Sequence, residues 1–291
     1  MNSIDIESKK FLGQPKNFVS IFNALLFDGK QVLKPEYLKD ENSELVMNVS
    51  SKHVDIIKRY EDGTYLDLFV IESQSYVDQC MVARVMEYES VARMRYIRQN
   101  FKKHVPMHTR LPMILTVVLY VGESKWNAAK RLSELEIIHP GFEDMFNEFK
   151  LNLIELNTNH KYNTGEKATQ DFFDLLRMIY RKQILKEDLD REFNRDALYF
   201  AYVVTKNKEL LNIYQKSEKG DVKVCRALDE MFEESTNKGI QMGIRQGIEQ
   251  GIALNQFEVY QTMLDKGFSV KAIASIFSVS EESIKTLLMK A

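Results

Sequence analysis

The chain has 291 residues, of which 44% are hydrophobic and 28% are charged, as in an ordinary soluble globular protein. Its formal net charge is −2, so nucleic-acid binding would require a local basic patch rather than an overall positive field. The longest apolar run, residues 111–121, is too short to span a bilayer, and the N-terminus lacks the features of a signal peptide. We therefore expect a cytoplasmic protein with no membrane partner.

Residues 1–50 are predicted to be helical and to cover the core. The apolar residues at helical spacing in this region are expected to be core contacts: Phe18, Ile21, Phe22, Leu25 and Leu26. A second short helix is predicted over residues 40–49, and it carries Glu44. A Glu on a surface helix is usually a solvated side chain, so the sequence alone assigns Glu44 no role.

Residues 53–74 are predicted to form a β-hairpin. Two runs rich in β-branched and aromatic residues flank the sequence Glu-Asp-Gly-Thr at residues 61–64, and Asp-Gly favours a two-residue hairpin turn. If Glu61 faces Thr64, then Asp55 lies opposite Val70 and His53 lies opposite Glu72.

This register places polar residues on one face of the hairpin: His53, Asp55, Glu72 and Gln74. The opposite face is apolar and is expected to meet the core: Val54, Ile56, Phe69 and Ile71. Asp55 and Glu72 would be diagonal neighbours with Cα atoms about 7–8 Å apart. Two carboxylates at that separation can bind a hard divalent cation, which would also leave room for a phosphate oxygen.

The alternative is that both acids are solvated positions on a half-exposed sheet, which is the commoner arrangement for acids on strands. The position of Glu72 favours the metal site, because it directly follows the continuous apolar run 68–71. A carboxylate at the end of a strand that is buried on both faces needs a charged partner.

A helix is predicted over residues 78–101, and an uneven charge distribution begins within it. The segment 90–122 contains no Asp or Glu but has a cluster of basic residues: Arg93, Arg95, Arg98, Lys102, Lys103 and Arg110. Such a cluster near a phosphodiester-cleaving site would bind DNA phosphates without reading the base sequence. The alternative is a basic helix end with no ligand, since cations favour helix C-termini.

The segment 111–122 is predicted to be a buried strand, parallel to the Glu72 strand because a helix connects the two. Trp126 is expected to pack in the core, and residues 151–156 are predicted to be the last strand. A polar connection at residues 157–166 precedes a region predicted to be helical, with helices over 168–184, 196–214 and 221–234. This helical region shows no chemical motif.

These features together resemble a known family. Asp55, the sequence Ile-Glu-Ser-Gln at residues 71–74, a long helix, the strand ending Leu-Tyr-Val-Gly at residues 119–122, and Trp126 are similar to the PD-(D/E)XK nuclease-like transposases, the Rpn or YhgA-like recombination-promoting nucleases of bacteria. The resemblance covers most of the chain. It implies an α+β fold with a restriction-endonuclease-like αβββαβ core that binds Mg²⁺, or Mn²⁺ as an alternative, and cleaves DNA.

The resemblance also implies roles for individual residues. Asp55 and Glu72 would bind the metal, the backbone carbonyl of Ile71 would complete the ligand set, and Glu44 would be a further ligand. Gln74 would orient the attacking water. The chain departs from the superfamily pattern at Val54, which stands where Pro is expected, and at Gln74, which stands where Lys is expected.

The tail contains a four-residue repeat in which each glycine is followed by isoleucine: Gly239, Gly243, Gly247 and Gly251, with Ile240, Ile244, Ile248 and Ile252. On a helix, this spacing puts the glycines in one row and indicates close approach by another helix, so we expect a homo-oligomer formed through Gly239–Gly251. The alternative is a flexible, partly helical linker. Three short helices are predicted over residues 256–266, 269–277 and 280–289, resembling a small helix-turn-helix unit.

The sequence thus predicts a nuclease-like core at residues 1–160, a helical elaboration at 161–238 and a glycine-repeat helix with a small helical tail at 239–291. The predicted function is Mg²⁺-dependent cleavage of DNA associated with recombination or transposition. The alternative is a non-catalytic DNA-binding or assembly module that keeps the nuclease fold. A two-carboxylate glycosidase is disfavoured, because nothing in the sequence resembles an aromatic sugar-binding cleft.

Overall fold

The computed structural model describes residues 3–41, 56–63, 66–102, 104–184, 188–217 and 220–290. The chain divides into two compact units, Met1–Asp229 and Glu230–Ala291, so residues on both sides of the predicted boundary at 160 share one unit. The helices are α1 (Ser3–Leu12), α2 (Pro15–Phe27), α3 (Met81–Asn100), α4 (Lys167–Arg181), α5 (Arg195–Thr205), α6 (Lys208–Lys216), α7 (Cys225–Asp265), α8 (Val270–Phe277) and α9 (Glu281–Lys290). The strands are β1 (Leu38–Asp40), β2 (Ile56–Glu61), β3 (Leu66–Gln74), β4 (Ile114–Tyr120), β5 (Asn152–Glu155), β6 (Glu192–Phe193) and β7 (Val222–Lys223).

The first unit is built around a five-stranded mixed sheet with the strand order β1-β2-β3-β4-β5. The strands β1, β2 and β3 are antiparallel, whereas β4 and β5 run parallel to β3. The parallel pairing of β3 and β4 confirms the prediction made from the helix between them, because a helical crossover returns the chain in the same direction. The mixed sheet with its helices confirms the α+β class.

The described part of the hairpin corrects the predicted register. Glu61 pairs with Leu66 rather than Thr64, and Val70 pairs with Ile57 rather than Asp55. The predicted two-residue turn is wrong because the loop between the strands has four residues, of which Gly63 adopts a φ of 89° that suits glycine. The shift is two positions, an even number, so each described side chain keeps its predicted face.

The helix α2 covers one face of the sheet and α3 covers the other. Phe22 of α2 stacks on Phe69 of β3 with ring centroids 4.7 Å apart. On the other face, α3 contributes to two buried clusters that also contain residues of β2, β3 and β4: Ile57, Leu68, Val70, Tyr88, Ala92 and Ile114 in the first, and Met81, Val85, Val118, Tyr120 and Trp126 in the second. Trp126 is 3% exposed and donates a hydrogen bond to the carbonyl of Ala128, so the structure confirms that it packs in the core.

The helical prediction for the N-terminal region is correct for α1 and α2 and wrong for Leu38–Asp40, which form β1. The predicted helix over residues 40–49 would begin at Asp40, but Asp40 pairs with Lys58 at the end of β1. A salt bridge of 2.6 Å between these two side chains accompanies the strand pairing. Residues 42–50, including Glu44, lie outside the described part of the chain.

The helical region after β5 packs on the N-terminal helices. The ring of Phe11 in α1 lies 5.5 Å from Phe172 of α4 and 4.9 Å from Phe200 of α5, measured between centroids. The predicted helix over residues 196–214 is two helices, because Lys206 adopts a left-handed conformation and ends α5. The side chain of Asn207 then caps α6 by accepting a hydrogen bond from the Glu209 backbone.

The predicted helix over 221–234 begins only at Cys225, because Val222 and Lys223 form β7. From Cys225 the helix continues through the predicted 256–266 helix to Asp265, so the two predicted segments are parts of one helix, α7. The predicted helices over 269–277 and 280–289 correspond closely to α8 and α9. Residues of α7, α8 and α9 enclose a small core: Tyr260, Ile273, Ala274 and Ile284. Within the described ranges, no helix has the length and apolar composition needed to cross a membrane.

A buried acid on α3 makes stability depend on pH. Glu89 is 8% exposed, and its Oε1 accepts a hydrogen bond of 3.0 Å from the Thr116 backbone. Burial raises the pKa of the Glu89 carboxyl above its ordinary value, although the bond from Thr116 and the charge of Arg93 act in the opposite direction. Because the folded state disfavours the ionised carboxyl, the stability associated with the protonated form is lost as pH rises through the raised pKa.

We therefore expect Glu89→Gln to raise the melting temperature at pH 8, because the neutral amide can still accept the Thr116 hydrogen bond without the cost of a buried charge. The gain should shrink as pH falls towards the ordinary value of 4.5. Melting curves at several pH values test this expectation, with Glu87→Gln at a more exposed position of α3 as the control. A gain that does not change with pH would contradict it.

Candidate functional site

The candidate site lies at the C-terminal end of β3, where the chain places two polar residues in a buried strand. Glu72 and Gln74 are each 4% exposed. They pair with Val118 and Tyr120 of β4, which belong to the cluster beneath α3. Because alternate residues of a strand share a face, Glu72 and Gln74 both lie on the α3 side of the sheet. The structure therefore brings together two of the three predicted catalytic residues.

The charge of Glu72 is balanced by an arginine of α3. The Nη2 atom of Arg84 lies 3.2 Å from Oε1 of Glu72, and its Nη1 atom donates to Oδ2 of Asp78 just before the helix. The guanidinium also donates two hydrogen bonds, of 2.8 and 3.1 Å, to the hydroxyl of Tyr88 one turn later. One guanidinium therefore joins the end of β3, the start of α3 and its second turn.

The environment keeps Arg84 charged. Burial by itself would lower the pKa of Arg84, but the hydrogen bonds to Asp78 and Tyr88 and the charge of Glu72 outweigh this effect and raise the pKa above its ordinary value. Burial also raises the pKa of Tyr88, so its hydroxyl stays neutral and accepts from the guanidinium. Arg84 is thus a permanent counter-ion to a carboxylate whose side chain is only 5% exposed.

Gln74 differs from Glu72 in its hydrogen bonding. Its backbone carbonyl accepts a bond of 2.9 Å from Val121, but its buried Nε2 atom has no hydrogen-bond partner among the described residues. A buried amide without a partner costs free energy, on the order of 1–3 kcal/mol for a lost hydrogen bond. Such a donor beside a carboxylate is suited to bind an oxygen of a water or a phosphate.

The other predicted site residues are placed differently. Asp55, His53 and Glu44 lie outside the described part of the chain. Ile71 is paired with Ile56 on one side and with Val117 on the other. The backbone hydrogen bonds of the sheet therefore compete with any metal for the carbonyl of Ile71. Among the residues that the structure describes, no group of three or more His, Cys, Asp and Glu side chains is arranged to hold a metal ion.

Sequence reasoning missed Arg84, Asp78 and Tyr88. The available signal was the position of Arg84, which sits next to Val85 and one turn before Tyr88 on the apolar side of a predicted core helix. An arginine at the border of a core-facing stripe indicates a buried acidic partner, and Glu72 is the acid of the adjoining strand.

Helix geometry separates the predicted DNA-binding arginines into two groups. Arg95 follows Arg84 by about three turns, so it lies on the same flank of α3, and Arg98 is one turn further. Arg93 is about half a turn out of phase with Arg84. Its charge instead lies near Glu89, where it partly offsets the rise in the pKa of that carboxyl. Lys102 is exposed just beyond the helix end, and Lys103 lies outside the described residues.

Comparison with known proteins identifies the family. Residues 9–210, more than half of the chain, match the model of the family described as "Putative transposase, YhgA-like". The match runs from α1 into α6 and ends before the glycine repeat. No curated protein and no solved structure gives a significant match. The match confirms the family resemblance noted in the sequence: the chain belongs to the YhgA-like transposase family.

Proposed function

We propose that the chain is a DNA endonuclease that depends on Mg²⁺, with Mn²⁺ as an alternative, and that it acts in recombination or transposition. The observation that carries the proposal is the pair Glu72 and Gln74, a buried carboxylate beside a buried amide donor that has no partner in the described chain. The family match supports a substrate of DNA. The element order from α2 to β4, αβββαβ, supports a restriction-endonuclease-like core.

The residues present fit a hard divalent cation. Glu72 offers a carboxylate, which Mg²⁺ prefers as a ligand. Beside it, the Nε2 donor of Gln74, which has no partner among the described residues, suits an oxygen of water or phosphate. Asp55 would be the second carboxylate, since it directly precedes Ile56, the residue paired with Ile71 next to Glu72. The Ile71 carbonyl and Glu44 remain predicted further ligands. When bound, the cation would lower the pKa of a water and offset charge on the phosphate.

Gln74 can act only by positioning. Its side chain carries no charge and cannot serve as a general base, but its Nε2 can donate to a water or a phosphate oxygen. Hydrolysis adds the water oxygen to phosphorus, breaks one P–O bond of the backbone and passes a proton to the leaving oxygen, with no change in oxidation state. Gln74 would hold the oxygen in line for this addition, and Glu72 would keep its negative charge throughout.

The helix α3 would guide the DNA. Arg95 and Arg98 lie on the Arg84 flank about 16 and 21 Å further along the helix, from a rise of about 1.5 Å per residue. At about 3.4 Å per nucleotide along one strand, these distances correspond to about five or six nucleotides from the cleaved bond. Lys102 would extend this contact beyond the helix end. The basic residues would thus bind phosphates at a distance from the chemistry.

Cleavage rates of single variants can separate metal binding by Glu72 and Asp55 from water positioning by Gln74. We expect Glu72→Gln and Asp55→Asn to abolish cleavage of plasmid DNA in Mg²⁺ while leaving duplex binding largely intact, because the basic flank is unchanged. Gln74→Leu, similar in volume but without a donor, should lose roughly 10²-fold in rate, whereas Gln74→Lys should retain activity.

The rate of plasmid cleavage is measured for each variant at saturating Mg²⁺, with Ca²⁺ in place of Mg²⁺ and with a chelator as controls. Melting temperatures of every variant establish that each protein is folded. Full activity in Glu72→Gln would remove this hairpin from the chemistry and leave a DNA-binding or assembly module. Full activity in Gln74→Leu would remove Gln74 alone.

Metal binding can be tested without cleavage through the competition between a cation and Arg84 for Glu72. A ligand that binds only the folded state raises its stability, so Mg²⁺ should raise the melting temperature of the wild type. We expect Arg84→Gln to lower the melting temperature without Mg²⁺, because it removes a positive charge from beside a buried carboxylate, and to increase the Mg²⁺-dependent rise. Glu72→Gln should show no rise.

Differential scanning calorimetry across a Mg²⁺ titration, with K⁺ at equal ionic strength as the control, measures the effect. Equal Mg²⁺ responses in wild type, Arg84→Gln and Glu72→Gln would show that the ion pair is purely structural.

DNA binding is tested by comparing the two flanks of α3. We expect the double change Arg95→Gln and Arg98→Gln to weaken binding to all duplexes alike and to reduce the slope of log affinity against log salt by about one unit per lost phosphate contact. Arg93→Gln, on the opposite flank beside Glu89, is the matched control and should leave the slope nearly unchanged. Fluorescence anisotropy at several salt concentrations measures both. A larger effect from Arg93→Gln would place the DNA on the other flank.

A further inference from the structure

A polar cleft lies between the end of α4 and the loop that follows β5. Its volume is about 270 Å³, and its described lining includes six polar residues from three stretches of the chain: Asn159, Lys161, Arg177, Arg181, Gln183 and Asp188. Pockets for whole small molecules usually measure about 300–1,000 Å³. The cleft lies just below this range, which suits one compact polar group better than a whole nucleotide.

The cleft carries more positive than negative charge. Lys161, Arg177 and Arg181 contribute three cations, and Asp188 is the one anion among the described lining residues. Oδ1 of Asp188 already lies 3.5 Å from Nη1 of Arg191. Lys161 and Arg181 form no salt bridge within the part of the chain that the structure describes. Like charges around one cavity repel each other, so an anion between them would be stabilising.

Arg177 is held in place beside the cleft. Its side chain is 15% exposed, and its Nη2 atom donates to Oδ1 of Asp174 at 2.9 Å. Oδ2 of Asp174 accepts from Nη1 of Arg191 at 2.8 Å, so this carboxylate has a second counter-ion. A guanidinium has five N–H donors, and its planar fork matches the oxygens of a phosphate. Arg177 therefore keeps donors for a ligand and is already oriented.

The cleft lies at the same end of the sheet as the candidate site. The strands β3, β4 and β5 are parallel, and the loop with Asn159 follows the C-terminal end of β5. The hydroxyl of Tyr180, in the last turn of α4, donates to the carbonyl of Val121. The backbone N–H of Val121 in turn donates to the carbonyl of Gln74 at 2.9 Å. Two hydrogen bonds thus connect the end of α4, which carries both arginines of the cleft, to the strand end that carries Gln74.

The charge favours a phosphate monoester over a diester. Three lining cations and one lining anion give a net charge of +2. The C-terminal end of α4 contributes a partial charge of about −0.5, which leaves about +1.5. A phosphate monoester carries about −1.5 to −2 at pH 7, whereas a phosphodiester of DNA carries about −1. The monoester therefore matches the cleft more closely.

We propose that this cleft binds the dianion of a phosphate monoester, with Lys161, Arg177 and Arg181 as its donors. Two sources carry this group: the phosphorylated end of a DNA strand and a free small phosphate. The DNA source rests on the proposed function, since hydrolysis of the backbone leaves a terminal phosphate on one strand. The cleft itself does not depend on cleavage, because its described lining contains no residue of the proposed chemistry.

The first test measures methyl phosphate binding to the full chain, freed of nucleic acid, by isothermal titration calorimetry. We expect methyl phosphate to bind and dimethyl phosphate, its diester counterpart, to bind at least about tenfold more weakly. Arg181→Gln and Lys161→Gln should each weaken methyl phosphate binding about tenfold, because each removes a charged donor. Lys182→Gln is the matched control: it removes the same charge next to Arg181, but Lys182 is exposed and does not line the cleft.

The second test distinguishes the two sources. Fluorescence anisotropy compares short duplexes with and without terminal phosphates, using Glu72→Gln to prevent cleavage. Tighter binding of the phosphorylated duplex, lost when Arg181→Gln is added, would identify the DNA end as the source. Equal binding of both duplexes by a chain that binds methyl phosphate would identify a free small phosphate.

Two results would overturn the proposal. One is a wild type that does not bind methyl phosphate, and the other is equal methyl phosphate binding by the wild type and Arg181→Gln. Failure of the proposed function has a different result, because a wild type that binds methyl phosphate without cleaving plasmid DNA would refute the nuclease activity and support the cleft.

Discussion

The first unit depends on how it accommodates a carboxylate in the middle of its sheet. Glu72 lies in β3, which is paired on both sides and covered on both faces, so its charge is removed from bulk water. A buried charge is tolerated only with a partner of opposite charge and good hydrogen bonding. Arg84 is that partner, and its further bonds to Asp78 and Tyr88 fix the start of α3 over the end of β3. The candidate site and the placement of α3 therefore rest on the same interaction.

In the helical region, buried carboxylates are also paired with an arginine, although we assign no functional role to these acids. Asp171 and Asp174 of α4 are 1% and 2% exposed, and the guanidinium of Arg191 donates to both, at 2.6 and 2.8 Å. The backbone of Asn194 also donates to Asp171, which ties α4 to the start of α5. Here the acids are held by several donors, as in a structural network. At β3, the amide of Gln74 keeps a donor that has no partner among the described residues, and this donor favours a ligand there.

The helix α3 connects the two parts of the proposed function. Its first turns hold the counter-ion of Glu72, and its last turns carry Arg95 and Arg98 on the same flank. A rigid helix fixes the distance between the carboxylate and the phosphate contacts, which a loop would not do. The family match covers this entire arrangement and ends before α7. The residues of the proposed chemistry thus lie within the part of the chain that matches the family.

The sequence by itself determined the order of the elements from β2 to α4, the parallel pairing of β3 with β4 and the shared face of Glu72 and Gln74. These follow from apolar periodicity, from the connecting helix and from the strand period of two, which are all local properties. The sequence predicted the wrong register for the hairpin, because an Asp-Gly pair is compatible with a four-residue loop as well as with a two-residue loop. Only the tertiary structure selected Arg84 as the partner of Glu72, since the contact joins a strand to a helix that could approach it in several ways. Helix periodicity alone separates Arg93 from Arg95 and Arg98, but only the tertiary structure showed that Arg95 and Arg98 share the flank of the arginine that pairs with Glu72.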